Sequence, residues 1–219
     1  LELMNIEEVV ETCKRYKDVI VGVKARACQR AAADHGAHAM DLAIEAADQA
    51  GLPIMTHVGY PPPTIKDVIA KCRPGDIITH AFRDVPNAAV NTQGDILPEL
   101  VAARKRGILL DIGHGMGGFG FRVAKRLASE GIWPDMISSD IHILSVNGPA
   151  YDLLTTMSKF LCLGMPLSDI IKSVTATPAK VMRKSHLGNF NVGSQADITF
   201  LSIEEGEFMY HDGAGQTLR

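Results

Sequence analysis

The stretch from Pro53 to His80 decides the fold class. It opens Pro53-Ile54-Met55-Thr56-His57, passes Gly59 and Pro61-Pro62-Pro63, and reads as a helix from Thr64 to Cys72. It then turns at Pro74-Gly75 and closes on Asp76-Ile77-Ile78-Thr79-His80. Two short apolar runs joined by a helix make a βαβ unit, whose strands lie parallel and buried on both faces. Working outward, the same alternation continues. Upstream stand a helix from Asn5 to Lys17, the run Val19-Ile20-Val21-Gly22-Val23 ending in Lys24, and an Ala-rich helix from Ala37 to Ala50 stopped by Gly51. Downstream come a helix from Ile96 to Arg106, the run Ile108-Leu109-Leu110-Asp111-Ile112, a helix from Phe119 to Glu130, and the run Met136-Ile137-Ser138-Ser139 ending in Asp140. Strand and helix alternating at this spacing predict an α/β fold with a parallel sheet.

Beyond Asp140 the pattern changes. Tyr151 to Leu163, Leu167 to Val174 and Pro178 to Lys184 read as helices, the last with Thr177 as cap and Pro178 in its first turn. Ala196-Asp197-Ile198-Thr199-Phe200-Leu201 reads as one more strand, entered through Gly193-Ser194, and the tail from Glu204 to Arg219 is polar and Gly-rich.

Composition narrows the function. The 219 residues carry 22 Lys and Arg against 25 Asp and Glu, a formal charge of -3, which gives no electrostatic footprint for nucleic acid or an anionic membrane surface. The most apolar short run, Phe160 to Met165, is far shorter than the ~20 residues that span a bilayer. Leu1-Glu2-Leu3-Met4 does not read as a secretory leader or as a natural start. Cys13, Cys28, Cys72 and Cys162 form no C-x-x-C pair and read as four buried free thiols, which fits a reducing cytoplasm.

The chemistry lies in the residues that end the apolar runs, because parallel α/β folds place their sites at the carboxyl ends of the strands. These are Lys24, His57, His80 and Asp140, with His114 just after the fourth run and His142 two residues beyond Asp140. Each alone has a bland reading: a hydrogen-bonded rim histidine, a turn cap, a solvated lysine. Together, two imidazoles and a carboxylate presented from one end of a sheet match the donors of catalytic zinc. An ammonium ion has no lone pair, so Lys24 would ligate only as a carbamate formed by the neutral amine and carbon dioxide.

Val23-Lys24-Ala25-Arg26, Thr56-His57-Val58-Gly59, Thr79-His80-Ala81-Phe82, Asp111-Ile112-Gly113-His114-Gly115 and Ser139-Asp140-Ile141-His142 resemble the amidohydrolase superfamily, in its amidohydrolase/deacetylase or dihydroorotase-like branch. The resemblance runs from Val19 to Leu201. It implies a (β/α)8 TIM-type barrel of which strands four to eight are present, Lys24 marking the fourth. Residues 1–190 would be a partial barrel and 191–219 a partial return to a small β-sandwich domain. The family's His-x-His pair is missing, since His35 and His38 are spaced His-x-x-His and read as surface residues. The chain therefore resembles a piece truncated at both ends, with unpaired sheet edges that favour association.

For the intact protein the resemblance implies two divalent metal ions, zinc by default with manganese, cobalt and iron as alternatives. They would share the Lys24 carbamate and a hydroxide, with His57, His80 and Asp140 as further ligands. Asp140 would act as general acid and base in cleaving an N-acyl or cyclic amide. Arg26, Tyr60, Arg83, His114 and His142 would bind the substrate, its carboxylate or the oxyanion. A small-molecule substrate and a homo-oligomer are expected; nucleic acid and membrane are not. Three rivals stand beside this reading. Gly113-x-Gly115-x-x-Gly118 follows a strand and precedes a helix, with Asp140 beyond, which is a layout for NAD in an oxidoreductase. A mononuclear deaminase would need no bridging Lys24. An inactive fragment would lack part of its metal ligands.

Overall fold

The computed structural model describes residues 4–219; Leu1, Glu2 and Leu3 of the opening stretch lie outside the described residues. Helix α1 (Ile6–Arg15) starts where expected because the Asn5 side chain accepts the Glu8 N–H at 3.1 Å, and it buries Val10 and Cys13. The helices α2 (Gln29–Ala32), α3 (Gly36–Ala50), α4 (Ile65–Lys71), α5 (Pro98–Lys105) and α6 (Phe121–Ala128) alternate with strands β1 (Val23–Ala25), β2 (Ile54–His57), β3 (Ile77–Thr79) and β4 (Leu109–Leu110). A capping box of Thr64 and Asp67 starts α4, and Gly51 in the left-handed region ends α3.

The four strands form one parallel sheet in the order β1-β2-β3-β4. Register pairs Lys24 with Met55, Met55 with Ile77, and His57 with Thr79. Side chains alternate along a strand, so Lys24, Met55, His57, Ile77 and Thr79 share a face. A cavity of about 490 Å³ on that face is lined by Lys24, Met55, Ile77, Asp111, Met136 and Ser138 among others. The opposite face packs Ile54, Ile78 and Leu110, all fully buried, against the helices. Helices α7 (Leu153–Cys162), α8 (Leu167–Val174) and α9 (Ala176–Val181) follow. An antiparallel ribbon, β5 (Tyr210–His211) with β6 (Thr217–Leu218), ends the chain.

The structure departs from the sequence reading in six places. The first strand starts at Val23 rather than Val19, since the Val19 and Ile20 N–H groups close a turn onto the Tyr16 carbonyl; Lys24 is therefore inside the strand, not after it. The run 136–139 makes one parallel bridge, Met136 to Asp111, then continues as extended chain beside β4 through His114 N–H to Ser138 O at 3.0 Å and Gly115 N–H to Ser139 O at 2.9 Å. Residues 196–201 form no strand; Ile198 and Phe200 are exposed and no neighbouring strand pairs with them. Thr177 and Pro178 lie inside α9, which begins at Ala176. The tail from Glu204, read only as polar and Gly-rich, makes the ribbon. Of the four free cysteines, Cys162 is exposed. Among the described residues no helix is long and apolar enough to cross a membrane.

Candidate active site

His57 is the last residue of β2, and His80 follows β3 directly. Their rings meet edge to face with centroids 4.4 Å apart. His80 does not continue the strand: its backbone sits in the left-handed region at φ 61°, uncommon for a residue with a side chain. Its Nδ1 donates to the Gly113 carbonyl at 2.6 Å, so the Nε2 lone pair is free and faces Asp140, whose Oδ2 is 4.0 Å away. Asp140 is also held at a positive φ, 46°. Two strained residues facing one another are what a functional site leaves in a backbone.

The glycines of the loop after β4 make this packing possible. A Cβ on Gly118 would lie 2.3 Å from His80 Nδ1 and 2.2 Å from the Gly113 carbonyl; on Gly113, 2.3 Å from Thr79 Oγ1; on Gly115, 2.7 Å from Asp140 Oδ2. Those three are the glycines of the dinucleotide pattern. Here they give room to an imidazole and a carboxylate, and α6 starts only at Phe121 with Gly120 as its cap. On the other side, a Cβ on Gly59 would press on His57 Nε2 at 2.7 Å.

Burial, with further repulsion from His80, Arg26, Lys24 and Arg83, pushes the His57 pKa down to about 3. Burial also lowers that of His80, against the Gly113 hydrogen bond and Asp140. Both rings are therefore neutral at pH 7 and offer lone pairs. Burial lowers the Lys24 pKa too, while Asp111 and Asp140 pull it up. Asp111 is a carboxylate that the sequence reading passed over. It is buried, accepts from Thr79 Oγ1 at 2.6 Å and Ser138 Oγ at 2.9 Å, and desolvation raises its pKa. Its signal was the one used for the histidines: a polar residue directly after the apolar run 108–110.

The remaining expected site residues divide. Arg83 is buried, with Nη1 donating to the Val58 carbonyl at 2.9 Å. Tyr60 is exposed, with the Arg30 guanidinium 4.2 Å and that of Arg83 5.4 Å from its ring centre. Arg26 is exposed and close enough to act on His57 and Lys24. His114 is elsewhere: fully buried, with Nδ1 on the Gly115 carbonyl at 3.0 Å and Nε2 accepting from Lys159 Nζ at 2.7 Å. A substrate would have to displace Lys159 to reach it. His142 is exposed, and its Nδ1 accepts the Leu144 N–H of its own loop at 3.2 Å.

Lys159 was missed. It is fully buried, and its three N–H groups are used on His114 Nε2, the Pro149 carbonyl and the His211 carbonyl, each at 2.7 Å. It thus ties together the loop after β4, the loop after Asp140 and the terminal ribbon. Asp212 of that ribbon accepts the Phe121 N–H at 2.7 Å, capping α6.

No family model matches the chain. A deacetylase of Brucella anthropi is 33% identical over 216 residues, 99% of this chain and 54% of that protein. A crystal structure of an adenine deaminase superposes with a TM-score of 0.94 at 33% identity, over 98% of this chain and 59% of the other. The proteins it matches are of the amidohydrolase superfamily. A crystal structure of a dihydroorotase superposes with a TM-score of 0.87 at 32% identity, over 98% of this chain and 56% of the other. The chain spans about half the length of the curated relatives it matches.

Proposed function

We propose that the chain is the site-bearing part of a metal-dependent hydrolase that cleaves an amide C–N bond. The observation that carries this is His80: its Nδ1 is fixed by Gly113, its Nε2 lone pair faces Asp140, and the His57 ring lies against it. Among the described residues no group of three or more His, Cys, Asp or Glu side chains could hold a metal ion by itself. The donor set fits a metal once Lys24 is counted. Burial lowers its pKa, in the direction of the neutral amine, and addition of carbon dioxide to that amine, with loss of one proton, would make a carbamate. Lys24, His57, His80 and Asp140 would then hold divalent metal, two zinc ions in the whole protein. When bound, the metal supplies a Lewis acid and brings water to a pKa of ~7.

The chain's own residues do the rest. Asp140 accepts the proton of the attacking water and delivers it to the leaving nitrogen. Asp111, held by Thr79 and Ser138, fixes the floor beneath Lys24. Arg26, Tyr60 and Arg83 line the approach to His57 and orient the substrate. The same reading makes β1 to β4 and the extended run 136–139 strands four to eight of a barrel, with 1–190 as barrel and 191–219 as the return to a second domain.

The test is release of free amine from a panel of N-acetyl amino acids and cyclic amides by the chain loaded with zinc in bicarbonate. Asp140→Asn is expected to lower the rate by about 10²–10⁴-fold. Equal rates in the two proteins, or none in either, would count against the reading. The adenine deaminase likeness favours a second reading, in which the bond broken is the C–N bond of an exocyclic amine. That one predicts ammonia, rather than acetate, as the product.

A further inference from the structure

Lys159 carries a charge into the interior with no carboxylate to meet it. It is fully buried, and among the described residues it forms no ion pair. Asp152 and Asp212 lie close enough to act on it. Both are occupied elsewhere: Asp152 accepts the Thr155 N–H, and Asp212 accepts those of Phe121, Ala214 and Gln216. An ammonium ion has three donors and no acceptor, and burying one is unfavourable unless those donors are met. Here each is met at 2.7 Å, and each partner belongs to a different stretch of chain. An apolar side chain would pack α7 without that desolvation. What the lysine adds is a fixed point between three stretches.

Two of those stretches lead to the reaction centre. The first is the loop after β4, held through His114 Nε2. The residue before His114 supplies the carbonyl that fixes His80 Nδ1 at 2.6 Å. The residue after it, Gly115, donates to Ser139 O at 2.9 Å, and a Cβ there would lie 2.7 Å from Asp140 Oδ2. The second is the loop after Asp140, held through the Pro149 carbonyl. The Gly148 and Tyr151 N–H groups both bond the Ser145 carbonyl at 3.1 Å, and the buried Ser145 Oγ accepts the His142 N–H at 3.1 Å. The two arms meet again where His80 Nε2 faces Asp140 Oδ2 at 4.0 Å. The third N–H goes to the terminal ribbon, which sits on the first loop. The Gly213 N–H bonds the Phe119 carbonyl at 3.0 Å, and a Cβ on Gly213 would lie 2.5 Å from the Met116 carbonyl.

We infer that Lys159 is a positioning residue of the site: by clamping the His114 loop to the Pro149 loop, it sets how His80 and Asp140 face one another without touching either. This rests on the hydrolase reading for what the pair does, but not for the alignment itself. The interaction travels through backbone on both sides, from His114 to the Gly113 carbonyl and from Pro149 to the turn that follows Asp140.

Nitrogen NMR of the histidine rings, on the metal-free 219-residue chain, reads the alignment directly. In the native chain the His80 ring is expected as one neutral tautomer with its proton on Nδ1, because the Gly113 carbonyl holds it there. In Lys159→Met that carbonyl is no longer fixed, and both tautomers should appear. Lower stability alone would reduce the folded fraction without changing the tautomer inside it. Because Lys159→Met is the more disruptive change, Lys159→Gln, polar and one bond shorter, is the second variant. It is measured where its circular dichroism matches that of the native chain and is expected to show the same mixture. Zinc titration is the second readout, with Kd rising about 10-fold in either variant, the low end for a disturbed outer partner of a ligating histidine. A His80 ring that keeps the single Nδ1–H form in a folded variant would overturn the positioning role and leave the hydrolase reading untouched. A tautomer mixture in the variants, with zinc bound by none of the chains, would keep the positioning role and sink the hydrolase reading instead.

Discussion

Gly118→Ala will strip the site of metal while the neighbouring Gly117→Ala leaves it intact. The added methyl at residue 118 has to occupy space 2.3 Å from His80 Nδ1 and 2.2 Å from the Gly113 carbonyl, both parts of the bond that orients the imidazole. Something must move, and the atoms concerned are backbone and a buried ring rather than a flexible tip. At Gly117 a Cβ meets nothing within 4 Å. Losing an outer partner of a ligating histidine lowers metal affinity by about 10–100-fold, so zinc titration with a competing chelator should show a loss of that size for Gly118→Ala and none for Gly117→Ala. If the loop were a dinucleotide cradle, the same variant would change NAD binding and leave metal content alone.

Lys159→Met will destabilise the fold by about 3–5 kcal/mol, because it leaves two buried acceptors, His114 Nε2 and the Pro149 carbonyl, and the part-buried His211 carbonyl without their donor. For a chain of this length that is a fall of roughly 10 °C in the unfolding midpoint. Burial brings the Lys159 pKa down to about 8, so the residue is still an ammonium ion at neutral pH. Its partner gives the fold an acid limit. Burial, then Lys159, pushes the His114 pKa down to about 4 from an ordinary 6.5. Between those values the unfolded chain takes up a proton that the folded chain refuses, so stability falls as pH drops from 6.5 to 4. Urea unfolding at pH 7 and pH 5 should show this loss in the native chain. His114→Gln, which keeps an acceptor for Lys159 but does not titrate, should lose less over the same interval. A midpoint for Lys159→Met within a degree or two of the native chain would contradict the account of this cluster.

What could be read in the sequence and what could not follows from the range of the contacts. The alternation of strand and helix was legible because it is written in local periodicity, and the strand-end positions of His57 and His80 came with it. Their edge-to-face approach depends on register between β2 and β3, which the apolar runs imply. Lys159 was hidden because two of its three partners lie 45 and 52 residues away, and a lysine in an amphipathic helix normally reaches solvent. Only its setting, Met157-Ser158-Lys159-Phe160-Leu161, hinted otherwise. Asp212 reaches back 91 residues to cap α6 from a tail whose composition reads as loop. The glycine pattern is ambiguous for a different reason: glycine is selected wherever two groups approach a backbone closely, and a phosphate is only one such group. The strand expected at 196–201 failed because alternation makes a strand only where a neighbour can pair with it.

The central claim is that Lys24, His57, His80 and Asp140 hold divalent metal. The most direct measurement is metal per chain by plasma mass spectrometry, after preparation in bicarbonate without chelators, for the native chain and for the His57→Ala, His80→Ala double variant. The account predicts about one equivalent or more of zinc or a similar ion in the native chain and close to none in the variant. A folded native chain with no more metal than the variant would contradict it.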